Sequence, residues 1–117
     1  MIGRYEHAVI DCPDPPALAY FYEQLLGMRV DRDEDGWVVI ADDAGHRLAF
    51  QRVPDLREPQ WPDPERPQQF HIDVMVDDIE EAEKAALEIG ASRLPYEGPD
   101  FRVYADPVGH PFCLCTA

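Results

Sequence analysis

From Tyr5 to Asp11 the residues read as a half-buried strand, and the pattern then changes period. Asp14 is a natural helix N-cap, and Pro15 and Pro16 behind it suit a first helical turn. Leu18, Phe21, Tyr22 and Leu25 then recur on one helical face until Gly27 supplies a stop. Met28 to Asp33 predicts a strand, with Glu34-Asp35-Gly36 as a hairpin turn. Trp37 to Ala41 and Arg47 to Val53 predict two more, around a turn at Asp42 to Gly45. The order is β-α-β-β-β.

The same grammar then returns. Phe70 to Val76 predicts a strand, and Asp78 caps a helix whose inner face is Ile79, Ala82, Ala86 and Ile89. Its outer face is acidic, with Glu80 and Lys84 spaced for an i,i+4 ion pair. Ala91 to Pro95, Phe101 to Ala105 and Pro111 to Thr116 predict strands, the last two joined by Asp106-Pro107-Val108-Gly109. His7 and His71 lie 64 residues apart. Asp14 and Asp78, Asp42 and Asp106, Gly45 and Gly109, and His46 and His110 keep the same offset. Five matches at one spacing indicate a duplicated unit. The expected organisation is one domain over residues 1–117: module one at 1–53, a linker at 54–69 and module two at 70–117. The linker segment holds five of the 12 prolines, which excludes helix and central strand. Trp61 in its middle either anchors it on apolar surface or stacks on a ligand as a lid.

Composition narrows the function. The chain has 117 residues and a formal net charge of -14, so nucleic acid and anionic membrane are excluded as expected partners. No apolar run reaches the roughly 20 residues of a membrane span, and Met1 to Asp14 lacks a signal-peptide core. Of three cysteines, Cys113 and Cys115 share one strand face without being placed to bridge. They read as reduced thiols in a cytoplasmic protein. Ser92 is the only serine, which argues against a Ser/His/Asp triad.

A His on the first strand, an Asp seven residues later and the segment FYEQLLG at 21–27 resemble the vicinal-oxygen-chelate superfamily. The DPVG turn at 106–109 is placed like the family's DPxG. FQRVP, WPDP and PQQFHID, at 50–54, 61–64 and 67–73, look like a glyoxalase-like branch found as small standalone proteins. The resemblance covers essentially the whole chain. It implies an α+β fold in which two paired βαβββ modules form a curved mixed-sheet cup, the glyoxalase/bleomycin-resistance fold. It also implies a ligand cavity in that cup and a homodimer.

In metal-dependent members of the family four side chains, usually His and Glu or Gln, hold a divalent ion. His7 and His71 match the two first-strand positions. The last-strand acid usually stands four residues after the turn glycine, where this chain has Ala49 and Cys113. Two of the four ligands therefore depart from the pattern. A metal site then needs Gln51, one rung from Ala49 on the same face, or Cys113 as thiolate, which with the two histidines suits zinc. Asp11 and Asp73 share faces with His7 and His71 and could orient an imidazole or act as a base. His46 and His110, just after the turns, are expected to be exposed.

Two functions follow. One is a glyoxalase-like enzyme acting on a small organic molecule, a divalent-metal-dependent lyase or dioxygenase using Zn, Ni, Mn or Fe, with His7, His71 and Gln51 as catalytic residues. The other is a metal-free protein, without cofactor, that sequesters a cationic or amphipathic compound. Trp37, Trp61, Tyr104 and Cys113 are the candidate ligand contacts in either case.

Overall fold

The computed structural model describes residues 1–116. The chain divides into two compact units, Met1–Leu56 and Arg57–Ala117. In the first, the order is β1 (Ala8–Cys12), α1 (Pro15–Leu26), β2 (Arg29–Glu34), β3 (Trp37–Ala41) and β4 (Arg47–Arg52). In the second it is β5 (Ile72–Met75), α2 (Ile79–Glu88), β6 (Ser92–Gly98), β7 (Phe101–Ala105) and β8 (Pro111–Cys115). The strands run β1-β4-β3-β2 in one sheet and β5-β8-β7-β6 in the other, so the sequence repeat is a topological repeat. In each sheet the first strand pairs parallel to the last, and the remaining pairs are antiparallel.

The helices begin where the sequence placed their caps. Asp14 accepts from Ala17 N at 3.3 Å, and Asp78 accepts from Glu80 N at 3.0 Å and Glu81 N at 3.3 Å. These bonds satisfy amides that have no partner inside the helix. Asp78→Ala is expected to cost about 1 kcal/mol and lower the thermal midpoint by about 4 °C. A melting curve followed by circular dichroism checks it. Gly27 ends α1 at φ 68°, the left-handed conformation of a helix stop.

In the first unit Leu18, Phe21 and Tyr22 are buried as the helical spacing predicts, and Tyr22 packs on Phe50 of β4 at 5.6 Å. Phe50, Ile10 and Val38 occupy neighbouring register positions and form the helix-side core. In the second unit α2 lies on the face carrying Phe112 and Leu114, both buried. Tyr104 is fully buried there, stacked on its cross-strand partner Phe112 at 5.6 Å.

Three expectations are corrected. Tyr104 is a core residue rather than a ligand contact, because its register position turns it to the helix side of the sheet. Glu80 pairs with Arg102 of β7 instead of Lys84, in a network where Arg102 also meets Glu83 at 2.8 Å. Burial opposes the charge on Glu83, yet hydrogen bonding from Arg93 and the nearby arginine charges hold its carboxyl below the usual range. His110 is buried against Phe70 at 5.2 Å, whereas His46 is exposed and bonded to Asp42 at 2.8 Å. Strand bounds also move: β5 is shorter than Phe70–Val76, and β6 runs on to Gly98 through an irregularity that accommodates Pro95 on the edge strand.

Candidate functional site

Alternation along β5 and β8 decides which side chains meet. Asp73 and Cys113 are direct cross-strand partners, with Val103 next across the sheet. Met75, Cys115 and Phe101 form the following rung. Since Phe112, Leu114 and Tyr104 face α2, these residues and His71, two positions before Asp73, stand on the opposite face. One ligand atom each from His71, Asp73 and Cys113 lies within 4.8 Å of the others. This is the only such grouping of three among the described residues. His71 Nε2 is 3.7 Å from an Asp73 oxygen.

Electrostatics keep the metal-free thiols protonated. Burial, then the Asp73 charge, pushes the Cys113 thiol up to about 11. Burial raises Cys115 as well, with Asp73 and Asp100 adding to it. Cys12, Cys113 and Cys115 form no disulfide. Cys113 in metal-free protein is expected to react with iodoacetamide about tenfold more slowly than an ordinary thiol at neutral pH. Its thiolate is roughly a hundredfold scarcer, and higher basicity recovers only part of the rate. The rate should climb until pH reaches about 11. Mass spectrometry of the alkylated peptide across pH measures this, and a plateau near pH 9 would contradict it.

Two recesses open on the cluster. One, of about 290 Å3, is lined by His71, Cys113 and Cys115 together with Asp73, Asp100 and Phe101. The other, of about 200 Å3, has apolar walls from Trp61, Phe101, Val103 and Pro111, and shares His71 and Cys113. Gln68 supplies its one amide. Trp61 rests against Tyr96 at 4.8 Å and is half-buried, so it is both anchored and part of a recess wall.

The remaining candidates belong to the first unit. His7 stands just before β1 with its ring 5.8 Å from Trp37, and its Nδ1 is buried. Asp11, Gln51 and Trp37 are neighbours in register across β1, β4 and β3. None of them belongs to the grouping of His71, Asp73 and Cys113. Phe101, Gln68, Asp100, Val103 and Pro111 are not singled out by the sequence. Phe101 was legible in principle, since the turn at 106–109 sets β7 against β8 and so Phe101 opposite Cys115.

A model of the glyoxalase-like domain family matches residues 7–115. The chain belongs to this family. No curated protein matches it. Several solved structures share the fold at low identity. A glyoxalase/bleomycin resistance protein/dioxygenase family enzyme from Burkholderia phytofirmans is 18% identical, with 95% of this chain and 96% of that one covered at a TM-score of 0.73. The fosfomycin resistance protein FosX of Mesorhizobium loti is 17% identical, covering 100% and 94% at 0.75. A possible glyoxalase from Bacillus cereus is 17% identical, covering 98% and 99% at 0.71. At these identities the likeness establishes the α+β glyoxalase/bleomycin-resistance fold and no particular reaction. No helix among the described residues is long and apolar enough to cross a membrane.

Proposed function

We propose that the protein acts on a small organic molecule held against the second unit's sheet, with a divalent metal bound by His71, Asp73 and Cys113. The observation that carries this is the convergence of their three ligand atoms within 4.8 Å. The donor set fits such an ion. One imidazole nitrogen, one carboxylate oxygen and one thiolate sulfur are three different donors, and the two anionic ones balance a dication. Sulfur favours zinc and its neighbours over magnesium or manganese. Three protein ligands leave a position for substrate, where the ion would act as a Lewis acid on a substrate oxygen.

The chain's own residues supply the rest. Asp73 lies beside both His71 and Cys113, so it would fix the ion between the imidazole and the thiolate. Phe101 and Val103 give one side an apolar wall. Zinc does no redox chemistry, so with zinc bound this set favours a lyase over a dioxygenase within the family's range. His7 and Gln51 stay proposed catalytic residues of the first unit by themselves, and activity of His7→Ala tests them.

Capture of a cationic ligand without chemistry is the second reading, favoured by Asp73 and Asp100 beside Phe101 and by the net charge of -14. Calorimetric titration of chelator-stripped protein with Zn, Ni, Mn and Fe(II) separates the two. One equivalent of zinc per chain, bound more tightly than manganese, is expected. No stoichiometric binding by any of the four overturns the metal reading and leaves capture.

A further inference from the structure

The recess beside the cluster is divided chemically. Its far end is aromatic and aliphatic, from Trp61, Phe101, Val103 and Pro111, and its near end is His71 and Cys113. Among the described residues no lysine or arginine lines either this recess or the acidic one next to it. Asp73 and Asp100 put two carboxylates on the adjoining side. A dication held by Asp73 and Cys113 is already neutralised, and Asp100 adds a further negative charge. A doubly anionic ligand such as a phosphate or phosphonate would lose hydration there without meeting a compensating cation. An ammonium would lose hydration against the apolar walls of this recess, whose described lining holds no carboxylate, whereas an uncharged ring loses little hydration and gains contact with Trp61 and Phe101. At about 200 Å3 the space is smaller than the roughly 300–1,000 Å3 of drug-sized pockets and has room for one ring. Gln68 then discriminates within that class. Its amide is left without a partner by a pure hydrocarbon and is matched by an amide, carbonyl or hydroxyl.

We infer that this recess selects an uncharged single-ring aromatic molecule with one hydrogen-bonding substituent, and that Trp61 and Gln68 of the proline-rich segment set the selection. The inference rests on the proposed location of the site but not on metal binding. A dianionic substrate, as a phosphonate would be, is excluded by it.

Tryptophan emission tests it, using benzamide, toluene, benzylammonium and phenylphosphonate as probes on stripped and on zinc-loaded protein. Benzamide is expected to shift the emission saturably in both forms, and the shift should vanish in Trp61→Phe. Toluene should bind about tenfold more weakly, and Gln68→Leu should erase that difference. Phenylphosphonate should give no saturable change. Phenylphosphonate or benzylammonium binding as tightly as benzamide overturns the inference, and so does an emission change that survives in Trp61→Phe. No saturable change with benzamide at millimolar concentration overturns it too. The failures are distinguishable: protein that binds benzamide but no zinc refutes the metal reading alone, and protein that binds zinc but no probe refutes the recess alone.

Discussion

His71→Ala and Cys113→Ser are each expected to weaken zinc binding at least about a hundredfold, the upper end of what loss of a mere supporting partner costs a metal site. Each change removes one of the three donors that lie within 4.8 Å, and the two that remain cannot close a coordination shell. Serine keeps the size of Cys113 but offers a hydroxyl that stays protonated and neutral. Asp73→Asn keeps the shape and removes one of two negative charges, so a smaller loss is expected. Cobalt substitution reports the sulfur directly, through a thiolate-to-cobalt charge-transfer absorption. That absorption should disappear in Cys113→Ser and persist in Cys115→Ser, since Cys115 stands one rung further along the strand and outside the grouping. Melting curves taken without metal show whether each variant folds. Zinc affinity unchanged in folded His71→Ala and Cys113→Ser would remove the centre from the second unit.

Gly109→Ala should destabilise the protein by about 3 kcal/mol, a fall of about 10 °C in thermal midpoint. Two costs combine. Gly109 has φ 105°, a conformation that a residue with a Cβ resists. A Cβ there would also lie 2.5 Å from the carbonyl oxygen of Pro59, closer than such atoms approach. Pro59 belongs to the segment that carries Trp61, so the segment must lift, and the recess wall with it. Gly45 is the repeat-related control. Its φ is 94°, but nothing lies within 4 Å of an added Cβ. Gly45→Ala should therefore cost only the backbone strain, about 1 kcal/mol. Thermal melts of the two variants, each scored for benzamide binding, isolate the contact. Equal destabilisation would show that the segment does not depend on the Gly109 turn.

Much of the architecture is legible in the amino-acid sequence alone. Five residue pairs matched at a spacing of 64 required two copies of one supersecondary unit, and both sheets have the same strand order. Periodicity and capping chemistry are local properties, so Asp14, Asp78 and Gly27 marked their helix ends correctly. Where the sequence misled, the deciding contact was distant along the chain. His46 and His110 hold equivalent positions, yet Phe70 covers only the second. Glu80 passes over Lys84 for Arg102, 22 residues away, because the sheet brings that guanidinium under the helix.

The candidate site divides along the same line. Strand alternation in the sequence put His71 and Asp73 on one face and Cys113 and Cys115 on another, and family resemblance singled out His71 and Cys113. Alternation cannot say which face of one strand meets which face of the next. The parallel pairing of β5 with β8 decided that, setting Asp73 opposite Cys113 and turning Tyr104 into the core. The proline-rich segment was legible as irregular chain, since proline forbids regular structure there. Its role as a recess wall came only from tertiary packing, because Pro59 meets the Gly109 turn and Trp61 meets Tyr96 across long stretches of intervening sequence.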